Sequence, residues 1–434
     1  MSYQSPGDRR SGSSISPVHL IIGQGGAGVS TFAAAAAVEP LAGPAERGGR
    51  TLLVSFDRFR SASRIFGVFS FPGQPIPVSK TVDLLELDSL ATLSEAWGQV
   101  RAALITGGAS FAGTKIVDMH PDELTQLPGI EQLLLLRRIR DEARSGKWER
   151  IIVDCSGGAE PIDLLRVPQV ITDHMERMWP RHRRLAAAGE TSRTARAVAV
   201  MDLFDADCRD IDRLVIESGT VQAQVVASPT PHGVETSERL LAALQLMGIP
   251  VVGLAINGVA GEDWPAGVRK QQRQAGKEID ALLPGKAAAT RLPWLPTPPR
   301  TVLKLRKLGA ELAESGAEPL VGPGPRHADV QLESGSGLES VYRMAWRQPL
   351  PDPDTLRLGR SGDDVMIALS GIRQRIPLPS VLRRCVVIDA SWDDGVLSIR
   401  FAPDPKVWPQ RAAPRPAPER EWPDDEELSP EGSH

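Results

Sequence analysis

Short apolar runs alternate with longer helical patterns between Val18 and about residue 310. The apolar runs are VHLIIG at 18–23, TLLVSF at 51–56, ERIIVDC at 149–155, ARAVAVMD at 195–202, QAQVVAS at 222–228 and IPVVGLAIN at 249–257. Runs this short and this uniformly apolar indicate strands that are covered on both faces, as in a parallel sheet built from β-α-β units. The sequence therefore predicts an α/β fold, with helices at TFAAAAAVEPLA, GIEQLLLLRRIRDEARSG and VETSERLLAALQLMG. The stretch 88–147 is too long for a simple crossover and predicts an inserted helical subdomain.

A second, smaller domain is predicted beyond this region. Residues 313–338 hold glycine, proline and serine with little periodicity, which indicates a flexible linker. Residues 339–408 carry short alternating runs, which predict strands joined by turns in an all-β sandwich that folds on its own. The polar N-terminus at 1–17 and the proline-rich, acidic tail at 409–434 are predicted to be disordered; the tail is either a solubilising or an interaction segment.

Composition excludes several functional classes. The net charge of −4 comes from 50 basic and 54 acidic residues, so no basic footprint for nucleic acid is expected. The N-terminus lacks the apolar stretch of a signal peptide, and no segment approaches the roughly 20 apolar residues of a membrane-spanning helix. Three widely spaced cysteines, Cys155, Cys208 and Cys385, provide neither a disulfide framework nor a zinc motif. We therefore expect a cytoplasmic protein without an integral membrane segment.

A glycine-rich loop follows the first predicted strand and precedes an alanine-rich helix. Its residues, the candidate nucleotide-binding set, are Gly23, Gln24, Gly25, Gly26, Ala27, Gly28, Val29, Ser30 and Thr31. Strand, glycine loop and helix are the context of a phosphate-binding P-loop, whose backbone N–H groups and helix N-terminus attract anions. Val29 stands where that pattern has its lysine, and Ser30 occupies the position of the magnesium-binding hydroxyl. A glycine-rich turn without a ligand is the alternative interpretation.

Asp154 ends a predicted buried strand close to this loop. An aspartate in that place can hold magnesium through a water molecule, together with the hydroxyl of Ser30. Capping of the strand end is the alternative. The pattern makes Ser30 and Asp154 the candidate metal-binding residues.

Further segments occur in the order expected of one family. They are SFDRFRSASRIFGV at 55–68, LPGIEQLLLL at 127–136, DCSGGAEPIDLLRVP at 154–168, SPTPHGVETSERLLAALQLMGIPVVGLAINGV at 228–259 and ATRLPWLPTPPRTVLKLRKLG at 289–309. With the glycine loop, they resemble the ArsA-type P-loop ATPases, the arsenite-pump and tail-anchored-protein-targeting ATPases, over residues 18–312. Residues 373–405 resemble the α-crystallin-type domain of small heat-shock proteins, which is fused to some bacterial members of that family.

The resemblance implies ATP and Mg²⁺ as ligands and a dimer with a second copy or an intact paralogue. The family's two loop lysines would stand at Gln24 and Val29, so both are lost here. Asp57 matches the switch I aspartate that orients the attacking water, although Arg58, Phe59 and Arg60 replace the usual Pro-Ala-His. Asn257 matches the asparagine that contacts adenine. Turn capping is the alternative for both Asp57 and Asn257.

Three functional hypotheses follow. The first is a nucleotide-responsive pseudo-ATPase subunit that binds an apolar client protein. The second is an active ATPase, linked to an anion or a client, in which Arg58, Arg60 or a partner lysine replaces the missing charge. The third is a chaperone-like module that works through the C-terminal domain. Arsenite transport is not expected, because the three cysteines lie on distant segments and cannot form a thiolate cluster.

Overall fold

The computed structural model describes residues 15–40, 49–106, 118–123, 129–156, 160–187, 192–217, 219–283, 287–313, 324–325, 328–350, 353–369 and 371–408. The disorder predicted for 1–14 and 409–434 lies outside these ranges. At 15–17 that prediction is wrong. Ser16 is buried, its N–H donates to the Ala143 carbonyl at 2.9 Å, and its hydroxyl donates to the Trp148 carbonyl at 2.7 Å.

An eight-stranded sheet forms the centre of the larger domain. Its strands are β1 (Val18–Gly23), β2 (Thr51–Ser55), β3 (Ile76–Pro77), β4 (Val82–Glu86), β5 (Arg150–Asp154), β6 (Val221–Ala227), β7 (Val251–Val259) and β8 (Thr290–Pro293). They lie in the order β3-β4-β2-β5-β1-β6-β7-β8, and all neighbours are parallel except β3 and β4. The predicted α/β fold with a parallel sheet is confirmed. The carboxyl ends of β1, β2 and β5 meet at one edge, which is where a P-loop fold places its site.

Helices cover both faces of this sheet. They are α1 (Val29–Val38), α2 (Ser61–Phe66), α3 (Ser89–Thr106), α4 (Ile130–Arg144), α5 (Pro161–Met178), α6 (Arg181–Ala187), α7 (Ser192–Asp212), α8 (Pro231–Met247), α9 (Ala266–Ala281) and α10 (Val302–Ala313). Within the described residues, none is both long enough and apolar enough to cross a bilayer.

Two features of the larger domain differ from the prediction. The run ARAVAVMD at 195–202 is not a strand; it lies inside the 21-residue helix α7, where Val200 is 54% exposed. A strand covered on both faces would have buried that side chain. The described parts of 88–147 consist mainly of the helices α3 and α4, but α4 is not part of a separate subdomain, because Leu133, Leu136 and Ile139 pack into the core beside the sheet. Residues 107–117 and 124–128 lie outside the description.

The C-terminal domain is a sandwich of two antiparallel sheets. Its strands are β9 (Asp329–Ser334), β10 (Val341–Arg347), β11 (Arg357–Ser361), β12 (Asp364–Leu369), β13 (Ile372–Pro377), β14 (Cys385–Asp393) and β15 (Val396–Pro403). One sheet has the order β14-β15-β10-β9 and the other β11-β12-β13. Side chains from both sheets form one core, in which Phe401, Ile399 and Ile367 are fully buried. The predicted β-sandwich is therefore confirmed.

The boundary of this sandwich differs from the prediction. Part of the stretch read as a linker at 313–338 is strand β9, which pairs with β10. Glycine and serine around β9 hid its short alternation. On the other side, Ala242 and Leu246 of α8 belong to the sandwich core. A fragment 339–408 would lack both β9 and this cover, so the structure does not favour its independent folding.

The imidazole of His19 makes the stability of the fold depend on pH. Burial, with a smaller contribution from the nearby Arg150 cation, lowers the pKa of His19 to about 4. The unfolded chain binds a proton near pH 6.5, so stability is complete above that pH and falls as the pH drops towards 4. We expect His19→Gln to remove about 1–3 kcal/mol of this acid-induced loss. Urea unfolding of the unmodified protein and of His19→Gln at pH 7.0 and 4.5 measures this difference. If both proteins lose the same free energy of unfolding between the two pH values, the role assigned to His19 is contradicted.

Candidate functional site

The glycine loop between β1 and α1 forms an open backbone cradle. Gly26 and Gly28 have φ angles of 82° and 90°, and the Ala27 N–H donates to the Gln24 carbonyl at 3.2 Å. A Cβ added to Gly25 or Gly26 would meet no atom within 4 Å, so the backbone faces open space there. An anion can therefore approach the loop N–H groups and the N-terminus of α1 directly.

Asn257 supports this loop from behind. Its Nδ2 donates to the Ala27 carbonyl at 2.8 Å, and a Cβ on Gly28 would lie 2.3 Å from that nitrogen. Asn257 therefore contacts the loop backbone, and it is not among the residues that line the cleft described below. The expected contact with adenine stays a prediction; the observed contact is a structural support that the sequence did not reveal.

Both positions that lack a lysine have taken structural roles. Val29 is 4% exposed and packs with Phe32 and Ala33 in the core around α1. Gln24 Nε2 donates to the hydroxyl of Ser228, while the buried Oε1 of Gln24 has no partner within the described residues. Neutral side chains therefore occupy the two positions of the loop at which lysine side chains would contact phosphate.

Hydroxyl and carboxylate oxygens gather beside the loop, at the ends of β2 and β5. The Ser30 and Ser156 hydroxyls are 2.6 Å apart, the Ser156 N–H donates to Asp154 Oδ1 at 3.1 Å, and Ser55 Oγ donates to Asp154 Oδ2 at 3.2 Å. Burial raises the pKa of Asp154, which is 0% exposed, while the bonds from Ser156, Ser30 and Ser55 oppose the shift. Oxygens of these types suit Mg²⁺, which usually keeps several of its waters. The structure thus brings the two predicted metal-binding residues, Ser30 and Asp154, to one place.

Asp57 lies on the wall of the cleft but is engaged by its own loop. Its Oδ1 accepts the Phe59 N–H at 3.0 Å, and its Oδ2 accepts both the N–H of Ser61, at 3.2 Å, and the Ser61 hydroxyl. These contacts cap the turn that leads into α2. A water-orienting role for Asp57 stays a prediction.

These elements border a cleft of about 1130 Å³, large enough for a nucleotide. Arg64, Arg239 and Arg300 line it, and within the described residues none of their guanidinium groups makes a hydrogen bond or ion pair. Arg58 and Arg60 line a neighbouring cavity, and Arg60 donates to the Ser70 carbonyl at 3.5 Å. The arginines on the wall of this cleft are therefore not the two that the sequence suggested, and charge compensation by Arg58, Arg60 or a partner lysine stays a prediction. Because the three arginines come from distant segments, no local motif could have revealed them.

The cysteines are buried on separate elements. Cys155 follows β5, Cys208 lies on α7 and Cys385 begins β14. Burial, with the nearby Asp154 carboxylate, raises the pKa of the Cys155 thiol well above its ordinary value. A thiol of this kind is unreactive, in keeping with a packing role.

Gly28→Ala is expected to lower the free energy of unfolding by about 1–3 kcal/mol, because it places a Cβ at positive φ and against the Asn257 amide. Gly25→Ala, in the same loop but with open space around its Cβ and no positive φ, is the matched control and should change stability by less than about 0.5 kcal/mol. Urea unfolding measures both variants. Equal losses would contradict the proposed support of the loop by Asn257.

The comparisons with known proteins agree with this geometry. A model of the anion-transporting ATPase family matches residues 17–293, and a model of the HSP20-like domain found in ArsA matches residues 339–401. The chain therefore belongs to the ArsA-type anion-transporting ATPase family and carries an HSP20-like domain at its C-terminal side. Both resemblances seen in the sequence are confirmed.

Relatives that match most of this chain are found in several bacteria. The chain is 34% identical over 421 residues to the protein Rv2184c of Mycobacterium tuberculosis, covering 90% of this chain and 97% of the relative. It is 31% identical over 409 residues to the protein SCO2128 of Streptomyces coelicolor, covering 90% and 98%. It is 21% identical over 395 residues to an Aquifex aeolicus protein named "Putative arsenical pump-driving ATPase 1", covering 84% and 94%.

Proposed function

We propose that this protein binds ATP with Mg²⁺ but hydrolyses it poorly, as a dimeric, nucleotide-responsive subunit in the targeting or chaperoning of an apolar client. The observation that carries the proposal is the state of the loop. Its backbone cradle is open at Gly25 and Gly26, while Val29 and Gln24 are neutral and used for packing and for a contact to Ser228.

The expected loss of affinity is moderate. A hydrogen bond to a charged group contributes roughly 1.5–3 kcal/mol, so the absence of a lysine at Val29 weakens ATP binding by about 10- to 150-fold. The loop N–H groups, the N-terminus of α1 and the hydroxyl of Ser30 remain available. Binding is therefore expected to survive.

The expected loss of turnover is larger. Family resemblance assigns the position of Gln24 to a lysine that reaches the nucleotide of the partner subunit, which is a role like that of an arginine finger. Such a group contributes roughly 10³–10⁵ in rate. A homodimer would lack it at both sites, whereas an intact paralogue would supply it to one of them.

An apolar client is supported by exposed side chains on the helical segment between β5 and β6. Met178 is 76% exposed, and Leu185, Val200 and Leu203 are also more than half exposed. Single exposed apolar residues are ordinary, but four on helices that pack against one another would suit the binding of an apolar segment.

A second candidate function is an active ATPase with compensating charge. It is favoured by Arg64, Arg239 and Arg300, which line the cleft. An independent chaperone module is less well supported, because the sandwich shares its core with Ala242 and Leu246 of α8.

Phosphate release from ATP, measured with the protein alone and with an intact paralogue, separates the first two candidates. The proposal predicts negligible release by the protein alone and stimulation by the paralogue. Release by the protein alone at the rate of intact relatives would establish the second candidate. Sedimentation of the same samples tests the dimer; a monomer under all conditions would contradict it.

A further inference from the structure

The HSP20-like domain is attached to two helices that begin at the nucleotide cleft. Helix α5 starts at Pro161, shortly after the Asp154 strand, and residues 160–163 line the cleft. Helix α8 starts at Pro231, and its first turns contribute His232, Thr236 and Arg239 to the same cleft. Anything that moves the N-terminal end of either helix therefore acts on the attached domain.

The contacts with α5 are polar and concentrated on β13. One of the residues that make these contacts, Gln374, is almost fully buried. They comprise a bond from Arg166 to the Arg373 carbonyl, one from Gln169 Nε2 to the Arg375 carbonyl at 3.2 Å, one from Gln374 Nε2 to Gln169 Oε1 at 2.6 Å, and an Arg375–Asp173 ion pair at 3.3 Å.

The contacts with α8 are buried. Gln348 is 0% exposed, and its Nε2 donates to the Ala242 carbonyl at 3.0 Å, while its Oε1 accepts the Trp346 indole N–H at 3.1 Å. Leu246 packs into the sandwich core one helical turn further on. Separating the domains would expose this apolar contact and leave the buried Gln348 amide without its bond to Ala242. The docked arrangement is therefore a defined state of the two domains.

The start of β13 reaches the cleft itself. Gly371 and Ile372 line it together with the glycine loop, although they are about 340 positions away in the sequence. Ile372 packs against both the core beside the parallel sheet and the core of the sandwich. It is thus a contact of both domains and a part of the cleft wall.

We propose that the HSP20-like domain completes the nucleotide site, with Ile372 as a wall residue for a bound nucleoside triphosphate, and that nucleotide binding and domain docking strengthen each other. A nucleotide between the glycine loop and Ile372 contacts both domains, which gives it a higher affinity for the docked state. Coupling of this kind is reciprocal. The inference rests on the proposed nucleotide function, because it names a further part of the same site.

Calorimetric titration of the full-length protein with ATP and Mg²⁺ tests the coupling in two variants. Ile372→Ala removes the wall contact, and Gln169→Ala removes bonds to β13 without altering a cleft residue. Each is expected to weaken ATP binding by at least about fivefold, the lower end of typical coupling. Arg400→Ala, which removes an ion pair to Glu333 in the other sheet of the sandwich, is the control and should leave the affinity unchanged.

Hydrogen exchange provides a readout that a purely structural role would not move. The amides of β13 in the unmodified protein should exchange more slowly when ATP and Mg²⁺ are added, and Gln169→Ala should reduce that protection. If the unmodified protein binds ATP but both variants bind it equally well and β13 exchange does not respond, the coupling is overturned while the nucleotide function stands. If the unmodified protein binds no ATP, both proposals are overturned.

Discussion

The double variant Gln24→Lys/Val29→Lys is expected to hydrolyse ATP at least about 10³-fold faster than the unmodified protein. Val29 begins α1 and lines the cleft, so a lysine there contacts bound phosphates and should by itself tighten ATP binding by roughly tenfold. With Val29→Lys alone, the turnover rate should barely change. Gln24→Lys acts on charge that develops during the reaction, so it should raise turnover only when Val29→Lys is present.

Methionine provides matched controls at both positions, because it has nearly the length and flexibility of lysine but carries no charge. Gln24→Met/Val29→Met should bind and hydrolyse ATP no better than the unmodified protein. Steady-state phosphate release and calorimetry measure the whole series. Asp57→Asn should abolish the gain of the lysine pair; a double repair that stays fully active with Asp57→Asn would contradict the role assigned to Asp57.

Arg184→Ala is expected to lower the free energy of unfolding by about 3–5 kcal/mol. The Arg184 side chain is fully buried between α6 and α7. Its Nε bonds Asp202 at 3.0 Å, and one terminal nitrogen bonds Asp205 at 2.7 Å while the other donates to the Trp179 carbonyl at 2.9 Å. Removing the guanidinium leaves Asp205, which is also buried, with Arg209, whose side chain is 36% exposed, as its one ion-pair partner among the described residues.

Arg144→Ala is the control for this variant. Arg144 pairs with Asp210 at 2.7 Å on the same helical layer, but its side chain is 46% exposed, so the loss should stay below about 1 kcal/mol. Urea unfolding followed by circular dichroism measures both. Similar losses for the two variants would show that burial of Arg184 does not determine its contribution.

Most strands of the sheet could be predicted from the sequence, because strands that are buried on both faces have a uniformly apolar composition. β1, β2, β5, β6 and β7 fall on the predicted apolar runs. β4 was missed because Asp83 and Glu86 interrupt its apolar pattern, yet both are buried. Arg50 pairs with Asp83, and the hydroxyls of Ser63 and Ser70 donate to Glu86, so the charges have partners that no local pattern shows.

The same distinction applies to the site: residues that are contiguous in the sequence could be predicted, whereas residues that the fold brings together could not. The position of the glycine loop between β1 and α1 was predicted, because its residues are contiguous and their spacing has a physical meaning, whereas its binding of a nucleotide stays a prediction. Asn257 was placed near the site by family resemblance, but its bond to the Ala27 carbonyl could be seen only in three dimensions. Arg300 and Ile372 were missed, because the fold brings them to the cleft from distant parts of the chain.

Calorimetric titration of the unmodified protein with ATP, in the presence and absence of Mg²⁺, tests the central claim most directly when phosphate release is followed in the same sample. The account predicts saturable binding of one ATP per protomer, tighter with Mg²⁺, and no sustained release of phosphate. Absence of binding at millimolar ATP, or steady multiple turnover by the protein alone, would contradict it.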